Sequence, residues 1–307
     1  MNPNPDTPIN THADPNTQVR LRVAVVSAGR VGAVLGAALR AAGHTIIATC
    51  ATSEESRERA ENLLPGTPIL PAPEAVAAAD LVLLAVPDDQ LTDLVSGLAA
   101  TGSWRAGQIV VHTSGAHGLA AVQPAAHAGA LTAAIHPAMT FTGWSLDLKR
   151  LTGCPFAVTA QGPAMMVAQT LAVEMGGEPY PLADAARPLY HAALNHGANH
   201  MTTIIAQALK ALTAAGISDP AAFIAPLVHA ALERSLQEGP AAVSGPVRRT
   251  DAGTVVTNLD ALAADPDLTD TAETFSQMSV HTARLLNDAD LLSERDAQSI
   301  IAAAKLY

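Results

Sequence analysis

Cysteine is nearly absent from the chain, which has only Cys50 and Cys154, and aromatic residues make up 3 % of it. Two thiols cannot supply a disulfide framework, and neither belongs to a metal-ligand cluster. Both are expected to be reduced thiols in a cytoplasmic protein. With so few aromatic rings, the core has to be built from Ala, Leu, Val and Ile, which suits close helix packing. Basic residues are also scarce: 17 Lys and Arg stand against 28 Asp and Glu, a formal net charge of -11. Neutralising a phosphate backbone needs a basic face, so nucleic acid is excluded as the main partner. No uninterrupted apolar run of about 18 residues or more occurs, so no membrane span is expected. Met1 to Gln18 are rich in Asn, Pro and Thr, without the basic start and apolar centre of a secretory signal. Residues 1–19 therefore read as a flexible tail.

What the chain does have is apolar patterning over 307 residues, 49 % of them hydrophobic, enough for two domains. The stretch from Val23 to Gly36 organises the first. An apolar run, Val23 to Val26, stops at Ser27-Ala28-Gly29-Arg30-Val31-Gly32, and a helical run to Ala42 follows at once. Strand, glycine turn and helix in that order form a candidate dinucleotide-binding unit. Gly29 lets backbone approach a pyrophosphate, Gly32 lets the helix pack on the strand, and the helix N-terminus offers N–H groups to the anion. The first glycine of the usual G-x-G-x-x-G is Ser27 here, and an ordinary strand-to-helix turn is the competing reading.

Thr45 to Thr49 read as the second strand. The residues after it meet the adenosine ribose in such units, where an acid favours NAD. Here Cys50-Ala51-Thr52-Ser53 is followed by Arg57, and small hydroxyls with an arginine at Ser53 and Arg57 suit the 2′-phosphate of NADP. Glu54 and Glu55 point the other way, although Thr52-x-x-Glu55 also fits a helix capping box. Asp80 to Pro87 form an unbroken apolar strand, suited to a sheet covered on both faces, and Val86-Pro87 at its end should flank the glycine turn. Ile109 to His112 run into Thr113-Ser114-Gly115, placed to approach a nicotinamide, with a helix N-cap as the other reading of Ser114. Leu131 to Ile135 lead to His136-Pro137, an imidazole at the sheet edge or a hydrogen-bonded loop histidine. Pro155–Thr159 and Pro179–Leu182 are further strands around a helix, Ala164 to Met175. The alternation predicts an α/β domain over 20–182, with a doubly wound, mainly parallel sheet.

From residue 183 to 307 the pattern is helical, with helices expected at about 184–215, 220–237, 252–264, 268–288 and 293–305. Asp219 and Pro220 form an N-cap and first helical position. Such an apolar all-helical domain is expected to form a homodimer. On its first helix His191, Asn195 and Asn199 share one face, and His196 and His200 a neighbouring one. Zinc at the latter pair has no third ligand in the sequence, and no metal is expected. Ser244-Gly245-Pro246-Val247-Arg248-Arg249-Thr250-Asp251 joins two helices. Its paired arginines read either as a carboxylate or phosphate clamp or as a solvated loop with Asp251 as N-cap.

Gly29-Arg30-Val31-Gly32, His112-Thr113-Ser114-Gly115, His136-Pro137 with Thr140-Phe141, Tyr190-His191, and Ser244-Gly245-Pro246 with Arg249 and Asp251 together resemble Rossmann-like proteins with a C-terminal domain of unknown function, the 2520 domain. The resemblance spans about 20–290. That family is similar to ketopantoate reductase, pyrroline-5-carboxylate reductase and the β-hydroxyacid dehydrogenases, which pair a dinucleotide-binding domain with a helical, often dimeric one. The resemblance implies an NAD(P)-dependent reductase, and the residues after the second strand make NADP the expected cofactor, with NAD the lesser candidate. In the β-hydroxyacid dehydrogenases a Lys and an Asn four residues on occupy the helix where this chain has His191 and Asn195. The 244–251 loop resembles in position the substrate loop of pyrroline-5-carboxylate reductase.

The expected function is reduction of a small keto or imino acid, ketopantoate first. His191 would be proton donor, Asn195 a hydrogen-bond partner to the same oxygen and His136 the second candidate acid. Asn199, Ser244, Arg248 and Arg249 would hold substrate. A nucleotide-binding sensor without turnover and a metal hydrolase are the competing classes.

Overall fold

A computed structural model describes residues 20–305. The expected tail, residues 1–19, lies outside them. Two compact units are present, one ending at Leu194 and the other beginning at Asn195.

The first unit is built on a seven-stranded sheet: β1 (Arg22–Val26), β2 (Thr45–Thr49), β3 (Leu81–Leu84), β4 (Ile109–His112), β5 (Leu131–Pro137), β6 (Pro155–Ala160) and β7 (Glu178–Pro181). The spatial order is β2-β1-β3-β4-β5-β6-β7. All neighbours are parallel except β5 and β6. Strand order reverses between β1 and β3, so the crevice beyond their carboxyl ends is the place where such a sheet takes a ligand.

The helices of this unit are α1 (Arg30–Ala41), α2 (Glu54–Leu63), α3 (Ala72–Ala78), α4 (Asp88–Ala100), α5 (Gln123–His127), α6 (Leu146–Arg150), α7 (Pro163–Glu174) and α8 (Arg187–Asn195). They cover both sheet faces, which is why Val23–Val26 of β1 and all of β3 are apolar instead of alternating. Val23, Val25, Leu81 and Leu83 point to one face, where Val34, Leu35 and Leu39 of α1 and Leu171 of α7 close the core. Ala24, Val26, Val82 and Leu84 point to the other, against Val76 of α3 and Leu91 and Val95 of α4.

The third strand is shorter than the run Asp80–Pro87. Asp80 binds Arg22 and Arg105 at the strand's start, and Pro87 is already the residue before α4.

The second unit holds α9 (Met201–Ala214), α10 (Pro220–Glu238), α11 (Ala252–Ala263), α12 (Thr269–Asp288) and α13 (Glu294–Ala304). Four of the five expected helices agree within a residue or two. The fifth, expected as one helix over 184–215, is broken into a 3-10 turn at Asp184–Ala186, α8, a π-helical turn at His196–His200 and α9. Asp219 caps α10 through Ala222 N, 3.1 Å away, with Pro220 first in the helix. The core of the unit lies among α11, α12 and α13, around Val255, Leu259, Ala283, Leu286 and Ile300. In contrast, α9 and α10 bury none of their residues.

Helix α1 and the turn after β1 meet backbone to backbone. A Cβ on Gly32 would stand 2.1 Å from the Ser27 carbonyl oxygen and 2.9 Å from Ala85 Cβ. A backbone oxygen cannot swing aside as a side chain can. Gly32→Ala is therefore expected to cost about 1–3 kcal/mol, seen by calorimetry as a fall in Tm of roughly 2–4 °C per kcal/mol.

Candidate active site

The glycine turn begins at Ser27, whose φ of 80° lies in the left-handed region. Serine thus adopts the conformation that a first glycine would supply without strain. The turn is pinned on both sides: Ala28 N donates to Cys50 O at 2.8 Å and Ala85 N to Val26 O at 3.0 Å. Gly29 is the N-cap of α1, no side chain caps it, and no acid stands in the first turn. Arg30 opens the helix, so the positive helix end and a cation lie together at the switch point.

After β2, the capping box is one residue later than Thr52-x-x-Glu55. Ser53 Oγ accepts from Ser56 N at 3.2 Å and Ser56 Oγ from Ser53 N at 3.1 Å. The hydroxyl of Ser53 is thereby engaged in capping the start of α2, and Glu55 is left exposed. Arg57 is exposed as well. Two residues on, Arg59 has its Nε buried without a hydrogen-bond partner among the described residues. It packs with Arg30 against Gly143, at 2.9 and 3.0 Å from the position a Cβ would take there. That loop is held by Asp147, fully buried, which accepts from Thr142 N (2.7 Å), Thr142 Oγ1 (3.0 Å) and Gly143 N (2.8 Å). Burial works to raise the Asp147 carboxyl, but the bonds from Gly143 and Thr142 prevail and its pKa is lowered.

At the ends of β4 and β5 the site is floored by Arg187, whose residue surface is wholly buried. Its Nε donates to Thr159 Oγ1 at 2.9 Å. Nη1 donates to Ser114 O at 2.8 Å and Gly115 O at 3.4 Å, and Nη2 to Ala134 O at 3.0 Å and Ala157 O at 3.2 Å. The Ser114–Gly118 loop is further fixed from within. Ser114 Oγ accepts from His117 N at 3.0 Å, and His112 Nε2 donates to Gly118 O at 3.1 Å. Ser114 thus caps its own turn, while Thr113 Oγ1 sits 3.5 Å from Leu84 O.

Above Arg187, His136 Nδ1 and the Tyr190 hydroxyl are 2.8 Å apart, with the rings edge to face. The His191 ring lies 6.5 Å from that of His136. Both imidazoles close on Gly115: a Cβ there would meet His191 Cδ2 at 2.8 Å and His136 Nε2 at 3.0 Å. Burial, then Arg187 and His191, push the His136 pKa down to about 4. Burial and Arg187 push His112 down to about 3. Burial raises the Tyr190 phenol, with Arg187 pulling the other way. At neutral pH the pair is an uncharged imidazole on an uncharged phenol, able to pass a proton between them.

The structure therefore brings Ser27 to Gly32, Val86, Pro87, Thr113, Ser114, Gly115, His136 and His191 to one edge of one sheet. Asn195, Asn199, Ser244, Arg248 and Arg249 belong to the helical unit. There Asn199 donates to Asn195 Oδ1, and His196 and His200 bond to each other at 2.9 Å. Arg248 is tied to Leu291 O at 2.6 Å, Ser244 and Arg249 are exposed, and Asp251 caps α11 through Thr254 N at 3.0 Å. Among the described residues no group of three or more His, Cys, Asp or Glu is placed to hold a metal ion. Sequence reasoning missed Arg187, Arg59 and Asp147, and saw Tyr190 only as part of a resemblance. A lone arginine opening an Ala/Leu-rich helix was the available signal for Arg187.

The sequence matches the Rossmann-like domain family over residues 6–137 and the domain of unknown function DUF2520 over 154–282. No curated protein matches it. Among solved structures, the chain is similar to a Bacteroides fragilis protein described as an NADP oxidoreductase. Identity is 22 %, with 84 % of this chain and 97 % of that one covered and a TM-score of 0.70. It is also similar to a reductive aminase from Aspergillus terreus, solved with NADPH and ethyl levulinate, at 17 % identity over 92 % and 99 % of the chains, TM-score 0.63. An imine reductase from a Pseudomonas species has 17 % identity over 93 % and 99 %, TM-score 0.60. At these identities the likeness is one of fold.

The two depressed histidines make stability pH-dependent. Their folded values, about 3 and about 4, lie below the ordinary 6.5. Below pH 6.5 the unfolded chain takes up protons that the folded chain refuses, so stability is full above that pH and falls beneath it. Each contributes a slope of up to about 1.4 kcal/mol per pH unit. His112→Gln, which keeps a donor for Gly118 O but does not titrate, is expected to lose less Tm than the parent between pH 7 and pH 5.

Proposed function

We propose that this chain, a Rossmann-like protein with a DUF2520 C-terminal domain, is an NADPH-dependent reductase of a small keto or imino acid. The observation that carries the reading is the uncapped glycine turn at the β1/β3 switch point, where Gly32 admits no side chain. The turn fits a pyrophosphate: Gly29 leaves room for it, the α1 N-terminus faces it, and Arg30 adds charge. Preference for NADP over NAD rests on the cations beyond β2. Arg59, with its orphaned Nε, joins Arg30 and Arg57 as the guanidinium group for a 2′-phosphate, while Ser53 serves as the helix cap. Val86, Pro87, Thr113, Ser114 and Gly115 would line the nicotinamide end. The reduced nicotinamide supplies a hydride when bound.

The chain's own part is to polarise and protonate the acceptor atom. His136, held at Nδ1 by the Tyr190 hydroxyl, is the group we assign to this, with the His191 ring beside it. The neighbours in fold include proteins described as an NADP oxidoreductase, a reductive aminase and an imine reductase, which supports the same class. Ketopantoate stays the first substrate to try, by analogy alone. A non-catalytic sensor is the weaker reading, because Ser27 holds the glycine conformation and a proton-passing pair stands at the same sheet edge.

The reading also includes a homodimer through the helical unit. α9 and α10 bury nothing, and Phe223, Leu227 and Leu236 of α10 are exposed. Sedimentation equilibrium is expected to give twice the chain mass, and Leu227→Glu with Leu236→Glu to lower it toward one.

Calorimetric titration tests the cofactor. NADPH is expected to bind more tightly than NADH, and Arg57→Ala with Arg59→Ala to weaken NADPH roughly tenfold or more while leaving NADH nearly unchanged. Preference for NADH would remove the arginine assignment. Binding of neither would remove the reductase reading.

A further inference from the structure

Arg187 is a buried cation with no anion beside it. Its five hydrogen bonds go to four carbonyl oxygens and one hydroxyl. Among the described residues it makes no ion pair; the acids that act on this region, Asp184 and Asp88, do so at longer range. Guanidinium groups keep their proton in proteins, so the floor of the site carries a fixed positive charge that carbonyl dipoles only partly offset.

His136 stands above that charge. Its Nδ1 is paired with Tyr190, while its Nε2 makes no hydrogen bond among the described residues and lies beside Gly115. The phenol is the stronger acid of the pair and the imidazole nitrogen the stronger base, so the Tyr190 O–H donates and Nδ1 accepts. A neutral imidazole has one ring proton, which must then be on Nε2. What the site offers is an N–H donor backed by a cation. A carbonyl oxygen complements both, having a lone pair to accept and negative charge to develop. An iminium complements neither. It is positive, and its N–H⁺ has no lone pair.

Resting on the reductase reading, we infer that the substrate is a ketone or aldehyde and not an iminium, that the His136 Nε2–H binds its oxygen, and that Tyr190 and Arg187 position and neutralise that donor. As the carbonyl carbon gains its hydride, the π pair moves to oxygen. The oxygen takes the Nε2 proton while the Tyr190 hydroxyl proton passes to Nδ1. The imidazole ends neutral with its proton on the other nitrogen. Tyr190 ends as a phenolate one helical turn from Arg187, whose charge stabilises it, and water returns the proton. The narrowing from keto or imino acid to carbonyl follows from the sign of the floor and the direction of one hydrogen bond.

Two readouts test this. Nitrogen-15 NMR of histidine-labelled protein, with His136 assigned from a His136→Asn sample, is expected to show a neutral ring protonated on Nε2 at pH 7. Tyr190→Phe should remove that preference for one nitrogen. A ring protonated on Nδ1, or charged, overturns the inference, and this readout needs no substrate. The second readout follows NADPH binding, established first by calorimetry. Oxidation of NADPH by 2-oxobutanoate or ethyl levulinate is expected to exceed that by 2-methyl-1-pyrroline by about 100-fold or more. Faster turnover of the imine overturns the inference while leaving the reductase reading intact. Failure to bind NADPH overturns that reading instead.

Discussion

One buried guanidinium holds the site together. Arg187 reaches from the start of α8 to the carbonyls of Ser114 and Gly115 after β4, Ala134 in β5 and Ala157 in β6, and to the hydroxyl of Thr159. These atoms come from two neighbouring strands, β5 and β6, and the loop that follows β4. All five bonds are buried, where an unmet acceptor costs about 1–3 kcal/mol. A planar fork of five N–H groups can serve so many acceptors at once, which an ammonium on a flexible stem cannot. The same bonds turn the Ser114 and Gly115 carbonyls toward the arginine, so Gly115 can receive the edges of His136 and His191.

The charge of Arg187 then sets the chemistry above it. Together with burial it keeps His136 and His112 neutral far below their ordinary pKa. His112 bolts the 114–118 loop through Gly118, and His136 is turned by Tyr190. A second anchored loop lies at the other end of the crevice, where buried Asp147 holds Thr142 and Gly143 against Arg30 and Arg59. The fold thus supplies two pre-set regions on one sheet edge, an arginine cluster beside the glycine turn and a neutral proton-passing pair beside Gly115.

Much of this was legible from residues alone where local pattern decides. The apolar runs from Val23 and from Leu81 could only be strands covered on both faces. The Ser27–Gly32 turn declared its place between strand and helix, and Asp219-Pro220 declared a helix start. Less legible were features in which two local solutions compete. Thr52-x-x-Glu55 and Ser53-x-x-Ser56 both fit a capping box, and the second forms. The helix expected over 184–215 has Pro188 in its first turn and Gly197 further on, but neither distinguishes the π turn at His196–His200 from continuous α-helix.

By itself the sequence determined the sheet-then-helix organisation, the switch-point turn and the histidines at the strand ends, because strand and helix periodicities and turn chemistry act over a few neighbouring residues. Only the tertiary structure decided that Arg187 lies beneath residues some 28 to 73 positions away in the chain, that Tyr190 pairs with His136, and that Arg59 stands with Arg30 at Gly143. Those partners share no sequence period. They meet because parallel strands with helical crossovers bring every strand's carboxyl end to one edge, and a long charged side chain is buried wherever enough backbone oxygens converge to hold it.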